Sequence, residues 1–492
     1  MGYILLAPKQ LMKGLMLPPN IVYILDDQHR YGVLGVDGNS IIQTPHLDRL
    51  AEQGMVFDQS FSSCPICAPY RAQLFTGRYS HCNGVLDNEY KMHCDQVTLA
   101  QALKSGGYHT GLIGKWHLGY PPYTKEARYG FDYMAANNAE HDYYRVSYFE
   151  NERGPILIDG WAPEEETSLA IRFLDNHKRS QPNKPLFLVL SYGPPHSPYE
   201  RYPSEYDIYD PTQIELRPNV PKAMADFARW EIAHYYGNIS ALDAQVGRLM
   251  DALESLDMAS NTLVIFTSDH GDHLSSHGYG KEADAGSDVP IWQDEEGAPM
   301  HPSLCASKGT PYEESIHIPF IAKFPGRVPA GQRTSTLMSS VDIMPTLLSL
   351  CGVDIPPGVQ GQDLSQVFLG LDGPVSDSVY LQLLGPGWPH RGEWLGFWRG
   401  LRTDRWTYAR WHKGDFDPLL FDRDRDPYEM NNLAGQAAFA DVQQRLEARL
   451  KQWMEETGDP FDYGRRDPDT GMLELGQKFI HEKYLDPTGV ES

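Results

Sequence analysis

Short apolar runs alternate with stretches of helical periodicity along the first three quarters of the chain. Four runs rich in β-branched and large apolar residues predict buried strands, at residues 20–27, 110–113, 186–191 and 262–268. An apolar period near that of an α-helix predicts helices between them, at residues 98–105, 164–178 and 223–256. Strands that alternate with helices are typical of a parallel or mixed sheet covered by helices. We therefore predict an α/β fold with a large central, mostly parallel sheet sandwiched by helices.

The pattern changes after about residue 375. Short apolar segments near residues 378–382 and 406–410 are separated by glycine, proline and charged turns, which predicts a small antiparallel sheet. Residues 439–455 then predict one amphipathic helix. We predict a catalytic domain over residues 1–375 and a smaller C-terminal α+β subdomain over residues 376–492. The acidic stretch at residues 281–307 is the least regular and is interpreted as a long loop.

Composition and charge exclude several classes of protein. The chain has 492 residues, 41% of them hydrophobic, and a formal net charge of −24. This charge repels nucleic acid and anionic membrane surfaces at long range, so we expect neither as a partner. No segment approaches the roughly 20 apolar residues of a membrane helix, and Lys9 and Lys13 interrupt the N-terminal apolar patches. We expect a cytoplasmic protein without a membrane segment, or a periplasmic or secreted protein if the native start differs from Met1.

The six cysteines do not form the framework of a small disulfide-rich domain in so long a chain. Cys64 and Cys67 have C-x-x-C spacing, which suggests a redox pair or half of a zinc site. A zinc site of this type needs a second pair at similar spacing, and the sequence has none. The four cysteines outside this pair are interpreted as buried thiols.

Acidic residues end two of the predicted strands. Asp26 and Asp27 close the first strand, and Asp269 with His270 follows the strand at 262–268. Three carboxylates within about 4 Å repel by roughly 4 kcal/mol per pair at an effective dielectric of 20, so such a cluster needs a cation. Oxygen ligands favour Ca²⁺, Mg²⁺ or Mn²⁺, whereas an imidazole shifts the preference toward Mn²⁺ or Zn²⁺. A single acid at a strand end is more often a helix cap, but two clusters together favour a metal site.

The segment from Cys67 to Arg71 has the form C-x-P-x-R, and five further segments accompany it in order. These are residues 26–27, 114–119, 195–199, 268–271 and 308–314. Together they resemble the formylglycine-dependent sulfatases of the alkaline phosphatase superfamily. Residues 402–406 and 420–429 are similar to the C-terminal subdomain of that family.

The resemblance implies a metal site and a modified cysteine. Asp26, Asp27, Asp269 and His270, together with residue 67, would bind one divalent ion, which is usually calcium in this family. A formylglycine-generating maturation enzyme would convert Cys67 to 3-oxoalanine, the formylglycine residue. The hydrated aldehyde has two hydroxyls, one of which attacks sulfur while the other later expels sulfate. Serine has only one hydroxyl, which explains the requirement for cysteine.

The resemblance also implies roles for five charged or titratable side chains. Arg71 would hold the diol and the metal ligands, and Lys115 and Lys308 would bind the sulfate oxygens. His196 would protonate the leaving oxygen, and His117 would accept the proton of the diol during elimination. Taken singly, a histidine is more often structural than catalytic. His117 lies two residues after Lys115, and His196 lies between two prolines. These positions favour a catalytic role for both histidines.

The predicted activity is hydrolysis of a sulfate ester to an alcohol and inorganic sulfate. Two alternatives stay open at this stage: a phosphonate monoester or phosphodiester hydrolase on the same scaffold, and a catalytically silent anion-binding protein. His270 stands where many sulfatases have asparagine, which bears on the first alternative. The sequence also does not distinguish between aryl, choline-like and saccharide groups as the alcohol part of the substrate. Candidate stacking residues for it are Tyr143, Tyr144, Trp161, Trp388 and Trp394.

Overall fold

The computed structural model of the protein describes residues 18–92, 95–278, 307–385, 397–412 and 416–462. The predicted acidic loop at 281–307 therefore lies outside the described residues, except for Ser307. Trp388 and Trp394 also lie outside them.

A ten-stranded mixed sheet forms the centre of the molecule, in the order β11-β2-β10-β9-β1-β8-β4-β5-β6-β7. The first twelve strands of the chain, ten of which form this sheet, are β1 (Asn20–Asp27), β2 (Met55–Phe57), β3 (Ser60–Phe61), β4 (His109–Lys115), β5 (Tyr133–Asn137), β6 (Ser147–Glu150), β7 (Arg153–Leu157), β8 (Leu186–Pro195), β9 (Thr262–Ser268), β10 (Phe320–Lys323), β11 (Gln332–Thr334) and β12 (Met338–Ser339). The five central strands, from β9 to β5, are mutually parallel. β3 and β12 form a separate parallel pair. The predicted α/β fold with a mostly parallel sheet is confirmed.

Helices cover both faces of this sheet. They are α1 (Pro45–Glu52), α2 (Cys67–Thr76), α3 (Ser80–Asn83), α4 (Leu99–Ser105), α5 (Ala162–Ser180), α6 (Ala225–Ser255), α7 (Glu313–Ile316), α8 (Ile343–Leu350) and α9 (Ser365–Phe368). Alternate residues of β1 enter different cores: Tyr23 packs on the side of α2, α4 and α8, and Ile24 on the side of α1, α5 and α6. None of the helices in the described ranges has both the length and the apolar character that a bilayer-spanning segment needs.

The C-terminal part folds as a small α+β unit, as the sequence predicts. Its antiparallel sheet contains β13 (Val379–Leu383), β14 (Trp398–Arg402), β15 (Trp406–Trp411) and β16 (Leu419–Asp422). The last helix is α10 (Ala440–Thr457). Side chains of this unit share one apolar core with α2 and α8, so it packs directly against the larger domain. The division at residue 375 stays a prediction.

A buried ionic cluster joins the two parts. Asp459, just after α10, accepts hydrogen bonds from Arg399 at 2.7 and 3.1 Å and from Tyr380 at 2.8 Å. His81 of α3 lies 3.3 Å from the same carboxylate. Burial lowers the pKa of His81, but Asp459, Cys82 and Gln382 together outweigh burial and raise it to about 9.

We expect the stability of the protein to fall as pH rises through about 9, because His81 then loses its proton. A histidine whose pKa is higher in the folded state contributes stability that is complete below its unfolded pKa, near 6.5, and is lost above its folded pKa. Between pH 6.5 and about pH 9, the midpoint temperature of thermal unfolding should therefore decrease more in wild type than in His81→Gln. The exposed His46 gives a matched control, His46→Gln. Parallel pH profiles for wild type and His81→Gln would contradict the assignment.

Candidate functional site

The candidate site lies where the carboxyl ends of neighbouring parallel strands meet. β1 ends at Asp27, β4 at Lys115 and β9 at Ser268, directly before Asp269. β8 ends at Pro195, next to His196. All of these strands lie side by side in the sheet, so one edge collects residues from four distant parts of the sequence.

The fit of β4 against β8 at this edge requires a glycine. Gly114 has φ of +96°, and a Cβ atom there would lie 2.0 Å from the Ser191 carbonyl oxygen. A larger residue would push β4 and Lys115 away from β8. The close approach of the two strands therefore explains why the segment at residues 114–119 begins with a glycine.

Helix α2 presents Cys67 and Arg71 to this edge. Cys67 is its first residue, and Pro69 is tolerated in the first turn because its missing N–H would have no helical partner. The helix ends at Gly77, which adopts the left-handed conformation. Every residue of α2 is buried. Cys67 and Arg71 are four residues apart and so lie on the same face of the helix.

Arg71 uses its whole guanidinium group to join the strand ends. Nε and Nη2 donate to Asp269 Oδ2 at 3.2 and 3.0 Å, and Nη2 also lies 3.5 Å from Asp27 Oδ2. Nη1 donates to the Lys115 carbonyl at 2.9 Å and to Ser191 Oγ at 2.7 Å. The predicted holding role of Arg71 matches this geometry.

Four side chains form a group suited to a metal ion. Ligand atoms of Asp27, Cys67, Asp269 and His270 all lie within 4.8 Å of one another, and all four residues are buried. His270 Nδ1 lies 3.0 Å from the Gly271 carbonyl, which can only accept a hydrogen bond. Nδ1 therefore carries a hydrogen, which leaves Nε2 as the ring nitrogen that can bind an ion. Two carboxylates and one imidazole nitrogen fit a divalent cation.

Asp26, which the sequence analysis predicts as a ligand, lies outside the four residues whose ligand atoms are all within 4.8 Å of one another. Its Oδ2 accepts a hydrogen bond from His29 Nδ1 at 2.6 Å, within the protein interior. The pairing of β1 with β8 is irregular between Leu25 and Asp27, so the alternation of side chains along a strand does not separate Asp26 from Asp27 here. Oδ1 of Asp26 is buried and has no hydrogen-bond partner among the described residues, and the assignment of Asp26 as a ligand stays a prediction.

Two lysines bring positive charge to the same place. Lys115 Nζ forms a hydrogen bond and ion pair with Asp27. Lys308 Nζ donates to Gln28 Oε1 at 2.8 Å and to Cys67 Sγ at 3.4 Å. Together with Arg71, three buried cations face the two carboxylates of Asp27 and Asp269. A bound divalent ion would give the site excess positive charge, which suits an anionic group.

Gln28 is a site residue that the sequence analysis missed. Its backbone N–H donates to Asp269 Oδ1 at 3.1 Å, and its side-chain amide donates to Asp272 Oδ2 at 2.6 Å and Ser307 Oγ at 3.0 Å. Its φ of +70° is uncommon for a residue with a side chain. Such backbone strain concentrates at functional sites. Its position directly after the strand-ending Asp27 is the sequence signal that could have found it.

The Cys67 thiol lies at the centre of these charges. Its Sγ is 3.1 Å from His270 Nε2 and 3.7 Å from Asp27 Oδ1. Burial and the Asp27 carboxylate raise the pKa of the thiol, but Lys115, Lys308 and His270 outweigh them and lower it to about 5. In contrast, burial raises the pKa of the Cys64 thiol. The two cysteines are free, so the C-x-x-C segment is not a disulfide in this structure.

The two predicted catalytic histidines occupy different environments. Burial lowers the pKa of His117 well below its usual value, and Lys115 and Arg71 lower it further, so this imidazole is neutral. His196 Nδ1 lies 2.8 Å from the Ser197 carbonyl, so Nδ1 carries a hydrogen. The His196 ring stacks on His141 with centroids 4.0 Å apart. A neutral base and a histidine with a fixed tautomer fit the two proton transfers predicted from sequence.

Two of the aromatic candidates cannot stack on a ligand. Tyr143 and Trp161 are buried, with 1% and 2% of their surface exposed. The Tyr143 hydroxyl instead donates to the His196 carbonyl at 2.6 Å, and the Trp161 indole donates to the Arg201 carbonyl at 3.0 Å. Tyr144 is 38% exposed and stays a candidate.

Two family models match the chain. The model described as Sulfatase matches residues 19–353. The model described as the C-terminal region of N-sulphoglucosamine sulphohydrolase matches residues 307–456. The matches overlap at residues 307–353, a range that contains Lys308. Together they extend over both parts of the fold.

Individual relatives agree with the family models. The chain is 33% identical to an ulvan-active sulfatase of Formosa agariphila, over 90% of this chain and 82% of the relative. It is 26% identical to an N-acetylglucosamine-6-O-sulfatase of Bacteroides thetaiotaomicron, over 92% of this chain and 88% of the relative. A solved sulfatase structure from Bacteroides fragilis superimposes with a TM-score of 0.78 and 31% identity, over 91% of this chain and 98% of that one.

Proposed function

This chain belongs to the sulfatase family and hydrolyses sulfate esters, and on that premise we propose that Cys67 is the precursor of its nucleophile. The observation that carries this proposal is the position of Cys67 Sγ, which is one of the grouped ligand atoms and lies 3.4 Å from Lys308 Nζ. In the proposed mechanism a maturation enzyme converts Cys67 to formylglycine. The hydrated aldehyde then supplies the hydroxyl that attacks sulfur.

We propose Ca²⁺ as the divalent ion, and Asp26, Asp27, Asp269, His270 and residue 67 would hold it. Hard carboxylate ligands support calcium, although Mg²⁺ and Mn²⁺ use similar ligands. When bound, the ion supplies a Lewis acid that favours ionisation of the nucleophile. Arg71 keeps the two carboxylates in register, because it donates to both of them and to the backbone of Lys115.

The remaining side chains bind the sulfuryl group and move protons. Lys115 and Lys308 are proposed to contact its oxygens, where they stabilise the charge that develops during the reaction. His117 is proposed to take a proton from the hydrated aldehyde, and its neutral state supports this role. His196 is proposed to donate a proton to the leaving oxygen.

We further propose that the alcohol is a saccharide. The support is the similarity over most of the chain to an enzyme named N-acetylglucosamine-6-O-sulfatase. A sugar hydroxyl is a poor leaving group, so its departure needs an acid such as His196. We keep the cytoplasm as the proposed location.

A comparison of three substrate classes tests this proposal. We expect kcat/KM to be highest for a saccharide sulfate such as N-acetylglucosamine 6-sulfate, lower for an aryl sulfate, and lowest for an aryl phosphonate, by roughly tenfold or more. The assays are repeated after chelation and re-addition of Ca²⁺, which should restore activity. Preference for the phosphonate would instead favour the phosphonate hydrolase alternative. Equal rates with chelated and calcium-loaded protein would contradict the metal assignment.

A further inference from the structure

The peptide group of Gly309, next to Lys308, connects three parts of the chain. Its N–H donates to the Pro65 carbonyl at 3.1 Å, two residues before Cys67. Its carbonyl accepts a hydrogen bond from Trp398 Nε1 at 3.0 Å. Gly309 has φ of +82°, a conformation that a residue with a side chain rarely adopts. The backbone beside Lys308 is thus fixed from both sides.

Trp398 comes from the C-terminal unit. It is the first residue of β14 and is fully buried. Alternate residues of a strand share a face, so Trp398 and Arg402 point the same way from the sheet. Arg402 Nε lies 3.4 Å from Glu313 Oε2, in the segment that follows Lys308. One face of β14 therefore contacts residues on both ends of the 309–313 segment.

A second group of contacts fixes the far end of that segment. Arg423 donates to Glu313 Oε1 at 2.7 Å, and the Glu313 backbone N–H donates to Glu429 Oε2 at 2.9 Å. Glu429 in turn accepts from Thr407 Oγ1 at 2.7 Å. These contacts anchor Glu313 independently of Trp398. Within the described residues, the indole of Trp398 joins the C-terminal unit to the peptide directly after Lys308.

We propose that Trp398 is a positioning residue for the sulfate-binding lysine. Its indole N–H holds the Gly309 peptide, which sets the direction in which Lys308 enters the site and keeps Nζ beside Gln28 and residue 67. The C-terminal unit thereby completes the sulfate-binding site without contacting the substrate through Trp398. This proposal rests on the proposed role of Lys308 in sulfate binding.

Loss of the indole donor should weaken sulfate binding. Trp398→Phe removes the N–H and leaves the Gly309 carbonyl buried without this partner. We expect kcat/KM for an aryl sulfate to fall, and the inhibition constant of inorganic sulfate to rise, by roughly five- to thirtyfold. Incorporation of benzothienylalanine at position 398 replaces N–H by sulfur and keeps the bicyclic shape. It should reproduce the effect without a cavity.

The matched control is Trp453→Phe, which removes an indole hydrogen bond to Ser378 Oγ of 2.9 Å in the same unit. This control should leave the inhibition constant of sulfate unchanged. An equal effect in the control would show that loss of any indole contact in the C-terminal unit weakens binding, and would overturn the proposal.

A double-mutant cycle with Lys308→Ala tests whether Trp398 influences sulfate binding through Lys308. If Trp398 acts through Lys308, Trp398→Phe should change the inhibition constant little once Lys308 is alanine. If Trp398→Phe raises the inhibition constant by the same factor in wild type and in Lys308→Ala, the proposal for Trp398 is overturned and the role of Lys308 is unaffected. If Lys308→Ala itself does not alter sulfate inhibition, the assignment of Lys308 fails, and the proposal for Trp398 fails with it.

Discussion

Cys67→Ser should abolish turnover while the protein stays folded. Serine fits the space of the thiol at the first position of α2, so packing there changes little. A single hydroxyl can attack sulfur but has no second hydroxyl to expel sulfate. We expect a loss on the order of 10⁴-fold or more in kcat, as for removal of other enzymatic nucleophiles. Turnover of an aryl sulfate and thermal unfolding are measured in parallel.

Mass spectrometry of the peptide that contains residue 67 completes this test. Wild type produced with a maturation enzyme should show a loss of about 18 Da relative to cysteine. The serine variant should instead retain one sulfuryl group after incubation with substrate. Cys64→Ser is the matched control and should keep its activity, because the Cys64 thiol lies beside Ser80 and is not one of the grouped ligand atoms. Unmodified Cys67 in a fully active preparation would refute the formylglycine mechanism.

His196→Ala should reduce activity by an amount that depends on the leaving group. A general acid contributes roughly 10²- to 10⁴-fold when the departing oxygen is strongly basic. We therefore expect a loss in this range for a saccharide sulfate. The loss should be much smaller for 4-nitrophenyl sulfate, whose phenolate departs without a proton. The measurement is the ratio of kcat/KM for the two substrates in wild type and variant.

The exposed His46, far from the strand ends, supplies the control His46→Ala, which should leave both rates unchanged. A loss at His196 of equal size for both substrates would mean that the histidine binds or positions the sulfate ester and does not protonate the leaving oxygen. The Ser197 carbonyl holds the hydrogen on Nδ1 of His196. In the protonated imidazole, Nε2 is therefore the atom that we expect to donate its proton.

The sequence predicted the parts of the site that depend on the sheet. Apolar runs located the strands, and parallel strands place their carboxyl ends together, so Asp26, Asp27 and Asp269 could be grouped before the fold was known. Lys115 and His196 were assigned only from the family resemblance. Whether Asp26 and Asp27 both face the ion could not be decided in this way. β1 is buried on both faces, so its apolar pattern does not indicate which face a given residue occupies.

Contacts between distant segments were beyond prediction for a different reason. The bond between Trp398 and Gly309 joins residues 89 positions apart and has no periodic signal in either segment. The burial of Tyr143 and Trp161 depends likewise on which loops cover them. Gln28 combines a left-handed backbone with three side-chain partners, and this combination exists only once β1 and β9 are paired.

The burial of helix α2 has a consequence for the order of events during biosynthesis. Cys67 is only 1% exposed, and the nine residues after it in the helix are also buried. A maturation enzyme needs an extended, accessible peptide in its own active site. The folded protein offers none at this position, so the proposed oxidation of Cys67 has to occur on the nascent or unfolded chain. Folding then withdraws this helix from the maturation enzyme and fixes the modified fraction at the moment of synthesis.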